Sequence, residues 1–140
     1  MCSIKKWLIF FASLCASGCG LNSQKPPLAT PVTYYQKLQQ AEAIKNESRA
    51  HALGEAILQG YAANHKETLP PYINWQNNVK YYAEPEIQGE IGNYYYSKSL
   101  GGIKTSAIKD WANTKLLQSK VRGIDNRYIV VFVDGHTERQ

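Results

Sequence analysis

The stretch Tyr128-Ile129-Val130-Val131-Phe132-Val133-Asp134-Gly135 carries the strongest fold signal in this sequence. Its first six residues are all β-branched or aromatic, a composition typical of a strand. Asp134-Gly135 follows at once, and an Asp-Gly pair is a strong signal for a tight type I′ hairpin turn. We therefore predict a strand over 128–133, a hairpin turn at Asp134 and Gly135, and a returning strand over 136–140.

Shorter segments before this hairpin fit the other strands of an antiparallel sheet. Gly92–Ser97 and Asn113–Ser119 are strand candidates, and residues 78–82 fit either a strand or a short turn. The glycines of residues 100–102 mark a turn between them. The sequence thus predicts a small sheet built from the second half of the chain.

A long helix precedes these strands. Thr33 and Gln36 match a capping box, in which each side chain bonds the backbone N–H of the other residue. The apolar stripe at helical spacing is Ala50, Leu53, Gly54, Ile57 and Tyr61. Two prolines in Leu69-Pro70-Pro71 prevent any continuation. We predict a helix from about Thr33 to Asn64 packed on the sheet, which makes residues 33–140 one α+β domain.

The N-terminus has the composition of an export signal. Lys5 and Lys6 precede an apolar run over 7–16, which at ten residues is shorter than the ~20 residues of a membrane-spanning helix. Ala16-Ser17-Gly18-Cys19 then resembles the lipobox of bacterial lipoproteins. In that family the cysteine receives a diacylglycerol, the signal is cut before it, and the new N-terminus is acylated. The resemblance implies a signal peptide over 1–18 and lipidation at Cys19.

The segment after Cys19 is the expected link between lipid and domain. Residues 19–32 contain three prolines and several small polar residues, a composition typical of an extended, flexible tether. By resemblance to the sorting rules of lipoproteins, Gly20 favours the outer membrane. We expect anchoring to the cell envelope through acylated Cys19. Ordinary signal peptidase could also cut before Cys19, and the product would then be a free secreted protein.

Composition limits the class of partner. The formal net charge is +5 at pH 7; Lys5 and Lys6 account for two of these charges, which leaves +3 after the signal. No basic stripe is interleaved with aromatic residues, so we expect no binding to nucleic acid. All ten tyrosines follow the signal, and tyrosine suits positions with one dry and one wet end. Tyr94, Tyr95 and Tyr96 form the candidate interaction surface, although packing beneath a thin sheet would also explain them.

The ordered set of motifs resembles the globular part of type IV pilin-like proteins, in particular the pseudopilin-type group named for its H-X9-DG motif. The matching stretches are Leu53–His65, Leu69–Pro71, Gly92–Ser97, Trp111–Ser119 and Val131–His136. The resemblance implies a pilin-like fold and a link to secretion or pilus-like machinery. A lipoprotein-like signal replaces the apolar polymerising helix of that group, and Ile124 stands where the motif's histidine would fall. We therefore expect an anchored single unit.

No catalytic constellation is predicted. The three histidines, His51, His65 and His136, lack the spacing of zinc ligands, and no Gly-x-Ser-x-Gly motif occurs. We expect no metal and no cofactor. The expected function is a non-enzymatic binding or accessory role, with an envelope protein as partner.

Two alternatives stay open. Glu84, Glu86 and Glu90 could supply the carboxylate pair that glycoside cleavage uses, and a small envelope hydrolase could act through Glu84, Glu86 or His136. The chain could also be a pseudopilin whose start codon is wrongly assigned.

Overall fold

The structure, a computed structural model, describes residues 33–140. The predicted signal peptide, Cys19 and the tether lie outside these residues. The α-helices, the π-helical segment and the strands of this part of the chain are, in chain order, the helix α1 (Tyr34–Glu55), a π-helical segment (Ala56–Ala62), the short helices α2 (Trp75–Lys80) and α3 (Pro85–Gln88), and the strands β1 (Tyr94–Tyr96), β2 (Lys115–Ser119), β3 (Ile129–Phe132) and β4 (Thr137–Arg139). Three 3-10 helices of one turn each are also present in residues 33–140, at Ile91–Asn93, Lys98–Leu100 and Thr105–Ala107. The α+β prediction is confirmed.

The predicted long helix is present and begins where the capping box places it. The Thr33 backbone N–H donates to Gln36 Oε1 at 2.9 Å, and the Gln36 N–H donates to Thr33 Oγ1 at 3.3 Å. The α-helical hydrogen-bond pattern ends at Glu55, and wider π turns continue to Ala62. Among residues 33–140, no helix combines the length and the apolar character needed to cross a membrane.

The four strands form one antiparallel sheet in the order β1-β2-β3-β4. Tyr95 pairs with Gln118, Gln118 with Val130, and Val130 with Glu138. A bulge between Lys115 and Leu117 shifts the register of β2 against β3. Consecutive strands are thus neighbours in space, which is the common arrangement, even though the connection from β1 to β2 runs over residues 97–114.

Helix α1 packs directly on β3. Leu53 and Ile57 are fully buried, in agreement with the predicted apolar stripe. Gly54 allows the closest approach, because a Cβ at this position would lie 2.7 Å from Val131 Cγ1. A single cluster of buried residues therefore joins the helix to the inner face of the sheet.

The hairpin between β3 and β4 is present, but the predicted type I′ turn is wrong. The Gly135 N–H donates to Phe132 O at 3.0 Å, and the Phe132 N–H donates to His136 O at 2.9 Å. Gly135 has φ +92°, whereas Asp134 is not among the residues with positive φ. These contacts define a three-residue loop, a type I turn followed by a glycine bulge. A type I′ turn would force Asp134 into the left-handed region, which is costly for a non-glycine residue, whereas this loop needs a positive φ only at Gly135.

The region over 78–82 is not a strand: residues 78–80 end the helix α2, and residues 81–82 form a turn, which agrees with the turn alternative in part. Helix α2 begins after Asn74, which adopts a left-handed conformation with φ +61°. Trp75 and Val79 are both buried, and their separation of four residues places them on one face of a helix. The surrounding polar residues concealed this periodicity in so short a segment.

Candidate functional site

The three consecutive tyrosines of β1 alternate across the sheet, as side chains of a strand must. Tyr94 and Tyr96 are buried, whereas Tyr95 is 59% exposed. The candidate interaction surface therefore narrows to Tyr95, because the two flanking rings belong to the core. The period of two in a strand predicts from the sequence that Tyr95 faces the opposite side from Tyr94 and Tyr96. It does not predict which of the two sides faces the core.

Tyr96 anchors the loops beside β1. Its hydroxyl lies 3.0 Å from Pro70 O and 3.3 Å from Leu100 O, and carbonyl oxygens can only accept. Its ring lies 5.3 Å from that of Trp75. Burial raises the pKa of Tyr96, and the nearby Tyr61 adds to the shift. Tyr96 therefore acts as a neutral hydrogen-bond donor in the core.

Tyr94 lies beside an ion pair that joins the helix to the start of β1. Arg49 of α1 contacts the carboxylate of Glu90. Burial raises the pKa of Tyr94, the charge of Glu90 raises it further, and Arg49 opposes both effects. The Arg49–Glu90 pair thus fixes where β1 begins against α1.

Tyr95 lies on the terminal strand of the sheet. The Lys120 N–H donates to Asn93 O at 2.8 Å and the Ser97 N–H to Leu116 O at 3.0 Å, so alternate residues of this strand bond β2. The backbone groups of Tyr94 and Tyr96 therefore point away from β2, and of these the Tyr94 N–H already donates to Ile91 O. Within residues 33–140, no other strand pairs with that edge. An edge of this kind can accept an added strand from a partner.

The surface around Tyr95 is basic and includes a small hollow. Lys120 Nζ lies 5.3 Å from the centre of the Tyr95 ring, a cation–π distance. A hollow of about 210 Å³ beside the ring is also lined by Ser97, Lys115 and Gln118. We name Tyr95, Ser97, Lys115, Gln118 and Lys120 the β1 surface. It combines an aromatic ring, cations and an amide, which can recognise a polar partner.

Asp134 and Gly135 form a turn that is tied to helix α1. The His51 Nδ1 lies 2.8 Å from Gly135 O, so this nitrogen carries the proton. Asp134 Oδ1 lies 2.5 Å from His136 Nδ1. Partial desolvation acts to raise the pKa of Asp134. Hydrogen bonds from the backbone N–H and the ring of His136 outweigh this effect and hold that pKa below its usual value. Sequence reasoning missed the His51 contact, which joins residues far apart in the chain.

The histidines have structural partners in the described region. His136 is stacked on Phe132 with ring centres 4.3 Å apart. The His65 Nδ1 lies 2.8 Å from Tyr61 O, and the two rings stack at 3.8 Å. Among residues 33–140, no group of three or more His, Cys, Asp and Glu side chains could hold a metal ion.

The residues named for a hydrolase are not joined to one another. Glu84 precedes α3 and Glu86 lies in its first turn. His136 lies in the β3–β4 hairpin, where its ring nitrogens face Asp134 and Glu138. In the described residues, no hydrogen bond or ion pair links Glu84 or Glu86 to His136. No observation here assembles an acid–base pair from them.

Comparison with protein-family models, with curated proteins and with solved structures finds no match to this chain.

Proposed function

We propose that this chain is an envelope lipoprotein, anchored through acylated Cys19 and held at the outer membrane, with a non-enzymatic binding or accessory role. The sequence of residues 16–19 and the tether after it support the anchor. The domain is presented to a protein partner of the envelope, which recognises the β1 surface. The Cys19 lipid replaces the apolar helix by which pilin-like subunits polymerise, so the domain acts as a single unit.

A pilin-like relationship is part of this proposal. An N-terminal helix packed on a consecutive antiparallel sheet supports it. The first turns of α1 also support it, because Tyr34, Leu38 and Ile44 are exposed on the part of the helix that precedes the core contacts. On this basis we propose a link to secretion or pilus-like machinery.

One observation carries the binding role: a largely exposed tyrosine lies on the terminal strand, beside a lysine and a hollow. A tyrosine offers a partner a large ring surface and a hydroxyl at a low cost in conformational entropy. The backbone N–H and C=O of Tyr96, which point away from β2, offer hydrogen bonds to an added strand. A partner can therefore be bound through the Tyr95 ring and the β1 backbone without any catalytic group.

Site-specific photo-cross-linking tests this role. A benzoyl-phenylalanine placed at Tyr95 in the full chain should give a discrete cross-linked band from intact cells, because the probe would lie within the interface. Tyr81 is the matched control, since it is 88% exposed and lies outside the sheet. The same probe at Tyr81 should give no such band.

Two further results bear on the same proposal. Replacement of Lys120 by Glu should weaken the cross-link from Tyr95, because it reverses a charge on the β1 surface. Equal bands from the Tyr95 and Tyr81 probes, or none from either, would contradict a partner at β1.

A further inference from the structure

A second concave site lies on the described domain, away from the β1 surface. It is a cleft of about 430 Å³ between the end of the π-helical segment, the chain at Glu67 and Thr105, and the hairpin at Val133 and Asp134. Its volume falls within the range of small-molecule sites, roughly 300–1,000 Å³. Trp111 forms one wall and is 41% exposed.

Hydrogen bonds fix the walls of this cleft. The Trp111 indole N–H donates to Ile108 O at 2.8 Å, and the Asp134 N–H donates to Trp111 O at 3.3 Å. The Glu67 N–H donates to Ala62 O, and the Thr105 N–H donates to Glu67 O, both at 2.8 Å. Because the indole N–H is already satisfied, the exposed part of Trp111 is an apolar ring surface.

Two backbone irregularities border the same cleft. Lys66 and Glu67 have φ +54° and +59°, a left-handed conformation that costs non-glycine residues about 1–2 kcal/mol each. Leu58 and Gln59 line the cleft from the π-helical segment, and π turns occur often at functional sites. Strain and irregular helix of this kind concentrate where function requires a particular geometry.

The polar groups of the cleft can both donate and accept. Gln59 supplies an amide and Thr105 a hydroxyl, and Glu67 supplies a carboxylate. None of these three side chains takes part in a hydrogen bond or ion pair with another of residues 33–140. The lining contains no Lys, Arg or His. An anionic ligand is therefore disfavoured.

We propose that this cleft binds a neutral sugar of a glycan. A sugar ring presents a C–H face that can pack on the exposed ring of Trp111, and its hydroxyls both donate and accept. Leu58, Ala62 and Val133 provide the apolar remainder of the lining. A cationic side chain fits less well, since the Asp134 carboxylate is engaged by His136 and only Glu67 is left to pair with it.

Calorimetric titration of the full chain in a sugar-free detergent tests the proposal. Cellobiose and N,N′-diacetylchitobiose are the neutral probes, and trilysine is the cationic probe. At least one disaccharide should bind. Trp111→Ala should weaken that binding at least about tenfold, and Trp111→Phe, which keeps a ring but loses the bond to Ile108 O, should weaken it less than Trp111→Ala does. Tyr81→Ala, on an exposed ring outside the cleft lining, should leave it unchanged.

Two more variants separate a sugar from a cation and guard against misfolding. Glu67→Gln removes the one carboxylate of the lining that His136 does not engage, so it would abolish binding of a cation. Gln59→Leu removes an exposed amide on the helix, and it should weaken sugar binding even if Trp111→Ala proves unfolded. Three results would overturn the proposal: no disaccharide bound at up to roughly 10 mM, equal affinity in Trp111→Ala and the wild type, or binding of trilysine alone.

Discussion

Leu53→Ala should lower the free energy of unfolding by about 2–5 kcal/mol. Leu53 is fully buried where α1 meets the sheet, so the change removes apolar contacts and leaves a cavity. A domain of this size is stable by roughly 5–15 kcal/mol, and one such substitution therefore removes a large share of that stability. Urea denaturation followed by circular dichroism measures the effect.

The same helix provides a matched control. Leu38 is 49% exposed and precedes the core contacts of α1. Leu38→Ala should change the free energy of unfolding by less than about 0.5 kcal/mol, because the Leu38 side chain packs against no part of the core formed by residues 33–140. Equal losses in the two variants would show that α1 is not seated on the sheet as described.

Gly54→Val is expected to produce the second large effect, by overpacking. A Cβ at Gly54 would lie 2.7 Å from Val131 Cγ1, closer than side-chain carbons approach. The helix or β3 must move, which costs about 1–3 kcal/mol. Helix propensity slightly favours valine over glycine, so it acts against the loss and cannot cause it. Thermal unfolding should therefore show a clear fall in stability.

A double-mutant cycle identifies the source of that fall. Val131→Ala removes the methyl group that a side chain at position 54 would meet. The double variant should lose less stability than the two single changes together, with a coupling of about 0.5–3 kcal/mol. Gly89 is the control, since a Cβ there meets nothing within 4 Å, and Gly89→Ala should have little effect. Strict additivity of Gly54→Val and Val131→Ala would contradict the close helix–strand contact.

Long or strongly patterned segments of this fold could be predicted from the sequence. The capping box at Thr33 begins a helix because two side chains satisfy two free N–H groups locally. The β-branched run of β3 forms a strand because it is buried across its whole length. In both cases local chemistry and tertiary burial favour the same structure.

The remaining features depend on contacts between distant residues. Val133 belongs to the hairpin loop and is nevertheless buried, and its N–H donates to O of Thr114, a residue that no local pattern includes. The inward direction of Tyr94 and Tyr96 depends on the register of β1 with β2. The cleft at Trp111 was missed because its lining comes from several separate parts of the chain. An exposed tryptophan is a weak sequence signal, since exposure itself follows from the fold.

The two proposed sites fit one account of the protein. A lipid anchor would hold the domain near a membrane, where both a protein partner for the β1 surface and a glycan for the Trp111 cleft occur. Neither site needs a metal or an activated nucleophile. The β1 surface and the cleft share no lining residue, so each can be removed by substitution without the other.

Acyl labelling at Cys19 tests the central claim of an anchored single unit most directly. Cells that express the full chain are grown with an alkyne-tagged palmitate, and the protein is then isolated and examined for label. We expect label on the wild type and on Cys15→Ala, whose cysteine lies in the predicted signal, and none on Cys19→Ala. A labelled Cys19→Ala variant, or a wild type that never acquires label, would contradict the lipid anchor.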